Sequence, residues 1–94
     1  MKFPFSEINK DGVLEREFHP ETPSEELIWH TDLEDRLVTI KKSGGWKLQF
    51  DNELPKNLRD EEEIFIPQGA WHRVIKGSAP LIVHIKKLSD SKNR

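Results

Sequence analysis

The apolar residues of this chain occur in short runs that alternate with polar residues, and this periodicity limits the possible folds more than any other feature of the sequence. In the segment from Arg36 to Lys41, one face carries Arg36, Val38 and Ile40, while the residues between them point the other way. Successive side chains of a strand point to opposite faces, so a period of two predicts strands. No apolar stripe of useful length has the period of a helix. The sequence therefore predicts an all-β fold.

Turn-forming residues separate the predicted strands from one another. The glycine pair at 44–45 is expected to form a tight turn, because glycine adopts a positive φ without a Cβ clash. The strands on either side of this turn are predicted to form a β-hairpin. Residues 51–63 are predicted to be a polar connection or a poor edge strand. The predicted strands are Val13–Phe18, Leu27–His30, Arg36–Lys41, Trp46–Phe50, Ile64–Pro67, Trp71–Lys76 and Leu81–Leu88.

A chain of 94 residues predicts one domain, spanning residues 1–94, with an N-terminal segment at 1–10 and a flexible polar tail at 89–94. A domain of this size buries a small core and gains from hiding its strand edges. Several short strands separated by turns are typical of a β-sandwich or β-barrel.

The composition argues against several classes of protein. The chain has no cysteine, so it has neither disulfides nor thiolate metal ligands. Its net charge of −2 argues against a dedicated nucleic-acid-binding protein. No apolar run approaches the ~18 residues of a membrane span, and MKFPFSEINK lacks the apolar segment of a signal peptide. We therefore expect a cytoplasmic protein that binds neither nucleic acid nor membranes.

Two segments, WHTDLEDR and IPQGAWHR, each place a histidine directly after a tryptophan. Side chains at i and i+2 on a strand share a face, so His30 and Asp32 can chelate one divalent ion. His72 follows a Pro-x-Gly turn, from which a second strand can bring it alongside. Two histidines and one carboxylate form a facial ligand set with open coordination positions, as in non-haem iron sites, and zinc can also bind such a set.

The same residues have a simpler interpretation. A single His-x-Asp pair arises often by chance, and a histidine beside Trp71 is also compatible with a half-buried side chain that binds nothing. From the residues alone, a metal site and a set of mutually satisfied polar groups both stay open.

The second segment resembles the second motif of the cupin superfamily, which runs Gly, five residues, Pro-x-Gly, two residues, His, three residues, Asn. Pro67, Gly69 and His72 fall at those spacings. Glu61 stands at the position of the family's glycine, and Lys76 stands at the position of its asparagine.

The first segment resembles the first cupin motif, His-x-His, three residues, Glu, six residues, Gly, in a degraded form. His30, Asp32 and Arg36 occupy the ligand positions, and Ser43 occupies the glycine position. The resemblance covers residues 27–86 and is that of a small single-domain cupin.

This resemblance implies a jelly-roll β-barrel of six to eight antiparallel strands around a metal-centred pocket, often in a dimer. The implied metal ligands are His30, Asp32 and His72, and the implied cofactor is one divalent transition metal (Fe, Mn, Ni or Zn). Arg36 replaces the family's glutamate ligand, and a guanidinium cannot bind a metal because it stays protonated. Either Arg36 receives a small anionic ligand beside the metal, or it pairs with Asp32 in a metal-free pocket.

Further residues are candidates for ligand binding or association. Trp46 is predicted to belong to the core or the pocket wall. Gln49 either lines the pocket or faces solvent, and His84 is either a further pocket histidine or an outward-facing one. Alternation sends Trp29 and Trp71 to the face opposite their neighbouring histidines, where they either form a homodimer contact or pack within the chain.

Three functions are consistent with these residues. The first is a metal-dependent enzyme acting on small organic acids or sugars, with Arg36 orienting an anionic substrate. The second is a metal-free, non-catalytic module that binds a small ligand. The third is a structural protein that uses the barrel as a dimerisation unit. A shared fold does not distinguish them, because one fold supports many functions.

Overall fold

The computed structural model describes residues 4–88. These residues form eight antiparallel strands and one short 3-10 turn, at Ser24–Glu26, so the predicted all-β fold is confirmed. The strands are β1 (Phe5–Lys10), β2 (Val13–Phe18), β3 (Asp35–Lys42), β4 (Lys47–Phe50), β5 (Lys56–Asn57), β6 (Glu63–Ile66), β7 (His72–Ile75) and β8 (Leu81–Leu88). The predicted flexible tail, residues 89–94, lies outside the described residues.

The strands form two sheets that enclose the core in a small barrel-like fold. One sheet has five strands in the order β1-β2-β8-β3-β6, and the other has three in the order β5-β4-β7. Strands distant in sequence pair in both sheets, as β2 does with β8 and β4 does with β7. No helix among residues 4–88 is long and apolar enough to cross a membrane.

The predicted hairpin around residues 44–45 is wrong. Strand β3 pairs with β6 and β8, whereas β4 pairs with β5 and β7 in the other sheet. The glycine pair forms the turn, with both residues at positive φ, but the turn is a corner between the sheets. A contact that is distant in sequence holds this corner in place. The amides of Ser78 and Ala79 donate to the carbonyl oxygen of Gly44 at 3.1 and 3.2 Å.

Two other segments differ from the predicted set of strands. Residues 1–10, expected to be an N-terminal segment, contain β1, which pairs with β2 from Phe5↔Phe18 to Lys10↔Val13. The predicted strand Leu27–His30 is not a strand, because only His30 of that segment pairs with another chain segment. The remaining predicted strands agree with β2, β3, β4, β6, β7 and β8 to within two residues at each end.

The core consists of inward-facing residues from both sheets. On β8, Leu81, Val83 and Ile85 are buried, as the predicted alternation requires. Trp46 is fully buried, and its indole nitrogen donates to the carbonyl oxygen of Ala79 at 2.6 Å. Among residues 4–88, the buried apolar residues are Leu27, Val38, Ile40, Trp46, Leu48, Leu58, Ile64, Ile66, Leu81, Val83 and Ile85.

We expect Gly44→Ala to destabilise the protein far more than Gly12→Ala. Both glycines have positive φ (+59° and +87°), so each substitution costs about 1–2 kcal/mol of backbone strain. A Cβ at Gly44 would also lie within 2.5 Å of the carbonyl oxygens of Ala79 and Pro80, whereas one at Gly12 meets nothing within 4 Å. Overpacking of that kind adds about 1–3 kcal/mol. Urea unfolding of both variants measures the difference, and equal losses would contradict the proposed corner.

Candidate metal centre

A cavity of about 420 Å³ lies between the two sheets and contains every residue of the predicted metal set. Most of its wall is apolar and comes from the inward faces of the strands. Its charged and imidazole groups are Arg16, Glu26, His30, Asp32, Arg36 and His72.

The backbone sets the two histidines side by side. The amide of His30 donates to the carbonyl oxygen of His72 at 3.0 Å, and the amide of His72 donates back to His30 at 3.0 Å. Residues directly opposite each other in an antiparallel pair project to the same face. The two imidazole rings accordingly lie next to each other, with centroids 4.3 Å apart and planes tilted by 56°.

The Pro-x-Gly turn before His72 is bonded to the segment that carries Asp32. Within the turn, the amide of Ala70 donates to Pro67, and Gly69 adopts a φ of +78°. The amide of Gly69 then donates to the carbonyl oxygen of Asp32 at 3.1 Å. One residue earlier, the amide of Gln68 donates to the side chain of Asp35 at 2.7 Å. These bonds hold Asp32 beside the two histidines.

Local hydrogen bonds select the tautomer of each imidazole in its neutral form. Nδ1 of His30 lies 3.0 Å from the carbonyl oxygen of Ile28, and Nδ1 of His72 lies 2.8 Å from that of Ala70. A carbonyl oxygen only accepts, so each Nδ1 carries the proton and donates. Each Nε2 therefore presents a lone pair to the cavity, which is the form of histidine that binds metals.

Both lone pairs point towards the carboxylate of Asp32, which is only 8% exposed. Nε2 of His72 lies 3.4 Å from Oδ2 of Asp32, and Nε2 of His30 lies 4.0 Å from Oδ1. Oδ2 is buried and has no hydrogen-bond partner. One potential ligand atom from each of these three residues lies within 4.8 Å of the others. Three acceptors thus converge, an arrangement that a cation satisfies.

Arg36 lies beside this set, where it is hydrogen-bonded to one carboxylate and forms an ion pair with a second. Its Nε donates to Oε2 of Glu34 at 2.7 Å, and its Nη1 lies 3.4 Å from Oδ1 of Asp32. Its side chain is 14% exposed and lines the cavity. The predicted proximity of Arg36 to the carboxylate is therefore present, and Oδ2 of Asp32 still faces the histidines.

Burial lowers the pKa of His72 below its ordinary value of 6.5. The nearby His30 and Arg36 act in the same direction, whereas the bond to Ala70 and the charge of Asp32 oppose them. His72 is therefore neutral at neutral pH, and its lone pair is available to a metal.

Trp46 lies in the core, one of the two positions predicted for it, and it is not among the residues that line the cavity. It shares a face with Leu48, which does line the cavity. The corner contact with Ala79 holds the indole beyond the wall, where it packs against Phe18 with ring centroids 5.7 Å apart.

Gln49 and His84 also lie outside the cavity, because strand alternation turns them away from it. Gln49 donates to the carbonyl oxygen of Glu53 at 3.1 Å and accepts from Nε of Arg73 at 3.0 Å. His84 pairs with Glu15 at 3.1 Å on the outer face of the larger sheet. Among the four predicted ligand-binding residues, Arg36 alone lines the cavity.

Arg16, which was not predicted as a site residue, faces the cavity from β2. It stands opposite Val83, an inward residue of β8, and therefore points inward as well. Arg16 is bonded to Glu7 at 2.6–2.7 Å, and its guanidinium lies 3.9 Å from the centroid of the Phe5 ring. Leu14 and Phe18, which share a face of β2 with Arg16, indicate that Arg16 could point inward. The sequence alone does not show which face of β2 is the inward one.

The two tryptophans beside the histidines have different surroundings. Trp71 is 52% exposed. Trp29 is half-buried, and the guanidinium of Arg73 lies 4.6 Å from the centroid of its ring. Trp29 therefore has a packing partner within the chain.

Solved structures with the same architecture identify the fold. No family model and no curated protein matches the chain. A cupin domain from Bordetella pertussis Tohama I is 25% identical, with a TM-score of 0.61, and the match covers 95% of this chain and 99% of that one. The chain therefore has the cupin fold.

Two further structures with this fold are a protein named a putative isomerase and a protein in complex with its substrate. A putative mannose-6-phosphate isomerase from Ralstonia eutropha JMP134 is 19% identical, with a TM-score of 0.58, and the match covers 86% of this chain and 79% of that one. The Fe(II) form of HppE in complex with substrate is 6% identical, with a TM-score of 0.65 and coverage of 94% and 55%. At these identities the likeness shows the fold alone.

The lowered pKa of His72 predicts that the metal-free protein loses stability in acid. Below about pH 6.5 the unfolded chain protonates this histidine and the folded chain resists, so the free energy of unfolding falls as the pH falls. Urea unfolding in the presence of a chelator, at pH 7.5 and pH 5.5, measures the change. The His72→Asn variant lacks this imidazole, so its free energy of unfolding should fall less between pH 7.5 and pH 5.5. An equal loss in both proteins would contradict the assignment.

Proposed function

We propose that this protein binds one divalent transition metal through His30, Asp32 and His72, and that it binds a small anionic organic ligand beside Arg36. We propose further that the protein is a metal-dependent enzyme whose substrates are small organic molecules. The proposal rests on one observation above all: two imidazole lone pairs and a buried carboxylate oxygen without a hydrogen-bond partner converge in one cavity.

This convergence is unfavourable without a cation. A buried acceptor that lacks a donor costs about 1–3 kcal/mol. Nε2 of His72 cannot relieve Oδ2 of Asp32, because the proton of that ring is on Nδ1. A divalent ion bonded to the three groups would satisfy all of them, and bonds from both Nδ1 atoms to carbonyl oxygens would orient the rings.

The ligand set fits Fe, Mn, Ni or Zn, since imidazole and carboxylate are donors that these ions accept. A metal held by these three residues would supply a Lewis acid for a bound substrate. The remaining chemistry belongs to the chain. Arg36, oriented by Glu34, donates hydrogen bonds to an anionic group of the ligand, and the apolar wall excludes water from it.

The comparisons support this proposal at the level of the fold. The same fold holds Fe(II) in HppE in complex with substrate, and one neighbour is named a putative mannose-6-phosphate isomerase. Whether this chain shares metal dependence is decided by its own residues, of which His30, Asp32 and His72 offer the ligand atoms.

A second candidate function is a metal-free module that binds a small ligand directly. The approach of Arg36 Nη1 to Oδ1 of Asp32 at 3.4 Å favours it, because an internal cation partly neutralises the carboxylate. That contact leaves Oδ2 without a partner, and for this reason we favour the metal site.

Elemental analysis separates the two functions. We expect about one transition metal ion per chain in protein without a histidine tag, and we expect His72→Ala to weaken metal binding by at least about 100-fold, more than the loss of an outer-shell partner does. His84→Ala is the matched control, because that histidine pairs with Glu15 outside the cavity and should retain the metal. Absence of metal after reconstitution with Fe(II), Mn(II), Ni(II) and Zn(II) would leave the metal-free function.

The proposal includes a homodimer in which Trp71 is a contact residue. This side chain is 52% exposed, and Ile28 and Leu33 are 64% and 88% exposed. Exposed aromatic side chains are enriched at protein interfaces.

Size-exclusion chromatography with light scattering tests the homodimer. We expect the wild-type protein to elute as a dimer. We expect Trp71→Ser to raise the Kd of the dimer at least about tenfold, as the loss of a hot-spot residue does. Leu54→Ser, which changes a side chain 87% exposed on the connection between β4 and β5, is the control and should remain dimeric. A dimeric Trp71→Ser would exclude this residue from the interface, and a monomeric wild type would exclude the dimer.

A further inference from the structure

The cavity is polar at one end and apolar over the rest of its wall. Arg36 lies near the start of β3, close to the histidines, and is paired with Ile66 of β6. Further along β3, Val38 and Ile40 line the cavity, and apolar side chains from the other strands continue this wall.

The charge at the polar end depends on the metal. Asp32 and Glu34 contribute two negative charges, and Arg36, which contacts both, contributes one positive charge. Histidines that bind a metal are neutral. The empty centre therefore carries a net charge of −1 and repels an anion, whereas a divalent ion changes this charge to +1. The loaded centre attracts one anionic group.

The opposite region of the cavity provides no further positive charge. Arg16 of β2 is paired with Val83 of β8, which is paired in turn with Ile40 of β3. Arg16 is therefore separated from Arg36 by two strands across the sheet and by four residues along the strand direction. Glu7 already neutralises Arg16 through a contact of 2.6 Å. Glu26, the other charged residue of the described lining, is acidic.

We infer that the ligand of this cavity is an amphipathic monocarboxylate, with an aliphatic or aromatic body, which binds only after the metal. The inference rests on the proposed function and specifies its substrate class. The carboxylate lies between the metal and Arg36, and the body fills the apolar wall. Electrostatics sets the order of binding, because the charge of the centre changes sign when the metal binds.

The same cavity disfavours two other classes of ligand. A second carboxylate would be buried near Glu26 and the neutral Arg16–Glu7 pair, without an unpaired cation among the described lining residues. A sugar would place several hydroxyl groups against aliphatic side chains that offer no hydrogen bond, and each such group costs free energy.

Isothermal titration calorimetry of the Zn(II)-loaded protein tests the substrate class. The probes are acetate, butyrate, hexanoate and octanoate, with hexanedioate, hexanamide and mannose 6-phosphate as comparisons. We expect affinity to increase by about fourfold per methylene until the cavity is full. Hexanedioate, hexanamide and mannose 6-phosphate should each bind at least tenfold more weakly than hexanoate. After chelation of the metal, hexanoate should bind at least tenfold more weakly than to the loaded protein.

Two pairs of variants locate the ends of the ligand. Arg36→Gln should weaken hexanoate binding at least tenfold with the metal retained, and Arg36→Lys, which keeps the charge, should recover part of it. Val74→Phe narrows the apolar wall and should weaken octanoate binding at least tenfold while leaving butyrate within threefold. Val74→Ala, at the same position, should leave room for octanoate. Circular dichroism and metal content establish that each variant is folded and loaded.

The outcomes distinguish this inference from the metal proposal. A loaded protein whose affinity does not rise with chain length, or which prefers hexanedioate, overturns the inference and leaves the metal site intact. Equal binding of hexanoate with and without metal overturns the order of binding. Failure to take up any metal overturns the proposed function itself. The chain-length series uses wild-type protein, so the test does not depend on how a variant folds.

Discussion

The candidate site depends on two backbone hydrogen bonds between His30 and His72. They join two segments of the chain at a single residue pair, outside any regular strand pairing. Because the paired residues project to the same face, these bonds set the imidazoles side by side and direct both Nε2 atoms towards Asp32. The Pro-x-Gly turn reinforces them by donating the amide of Gly69 to the carbonyl oxygen of Asp32. Main-chain pairing therefore determines the positions of the side chains that form the site.

Arg36 gives this centre an electrostatic character that a third carboxylate would not give it. A guanidinium in contact with Asp32 and Glu34 leaves the empty centre with one excess negative charge, enough to attract a cation. On the proposed binding of a divalent ion, the same centre would carry one excess positive charge and would hold an anion. The second guanidinium of the cavity, that of Arg16, is already neutralised by Glu7. The difference between the two arginines lies in their partners and not in their residue type.

Sequence patterns predicted individual strands better than they predicted pairing. The alternation from Arg36 to Lys41 and from Leu81 to Leu88 gave the strands and their inward faces, because burial on one face requires a period of two. The β3–β4 hairpin was wrong, because the turn at residues 44–45 packs against residues 78–80, a contact that no local pattern records. Strand β1 was missed for a different reason: it is an edge strand whose residues are mostly exposed, and such a strand carries a weak apolar signal.

The sequence by itself determined the all-β class, most of the strands and the residues His30, Asp32, Arg36 and His72, because side-chain period and motif spacing are local properties. Only the tertiary structure decided which of the other polar residues reach the cavity. Gln49 and His84 point outward, Trp46 enters the core, and Arg16 points inward. The physical reason is that a strand has two equivalent faces until it pairs. Pairing between strands distant in sequence selects the inward face, and with it the groups that a ligand meets.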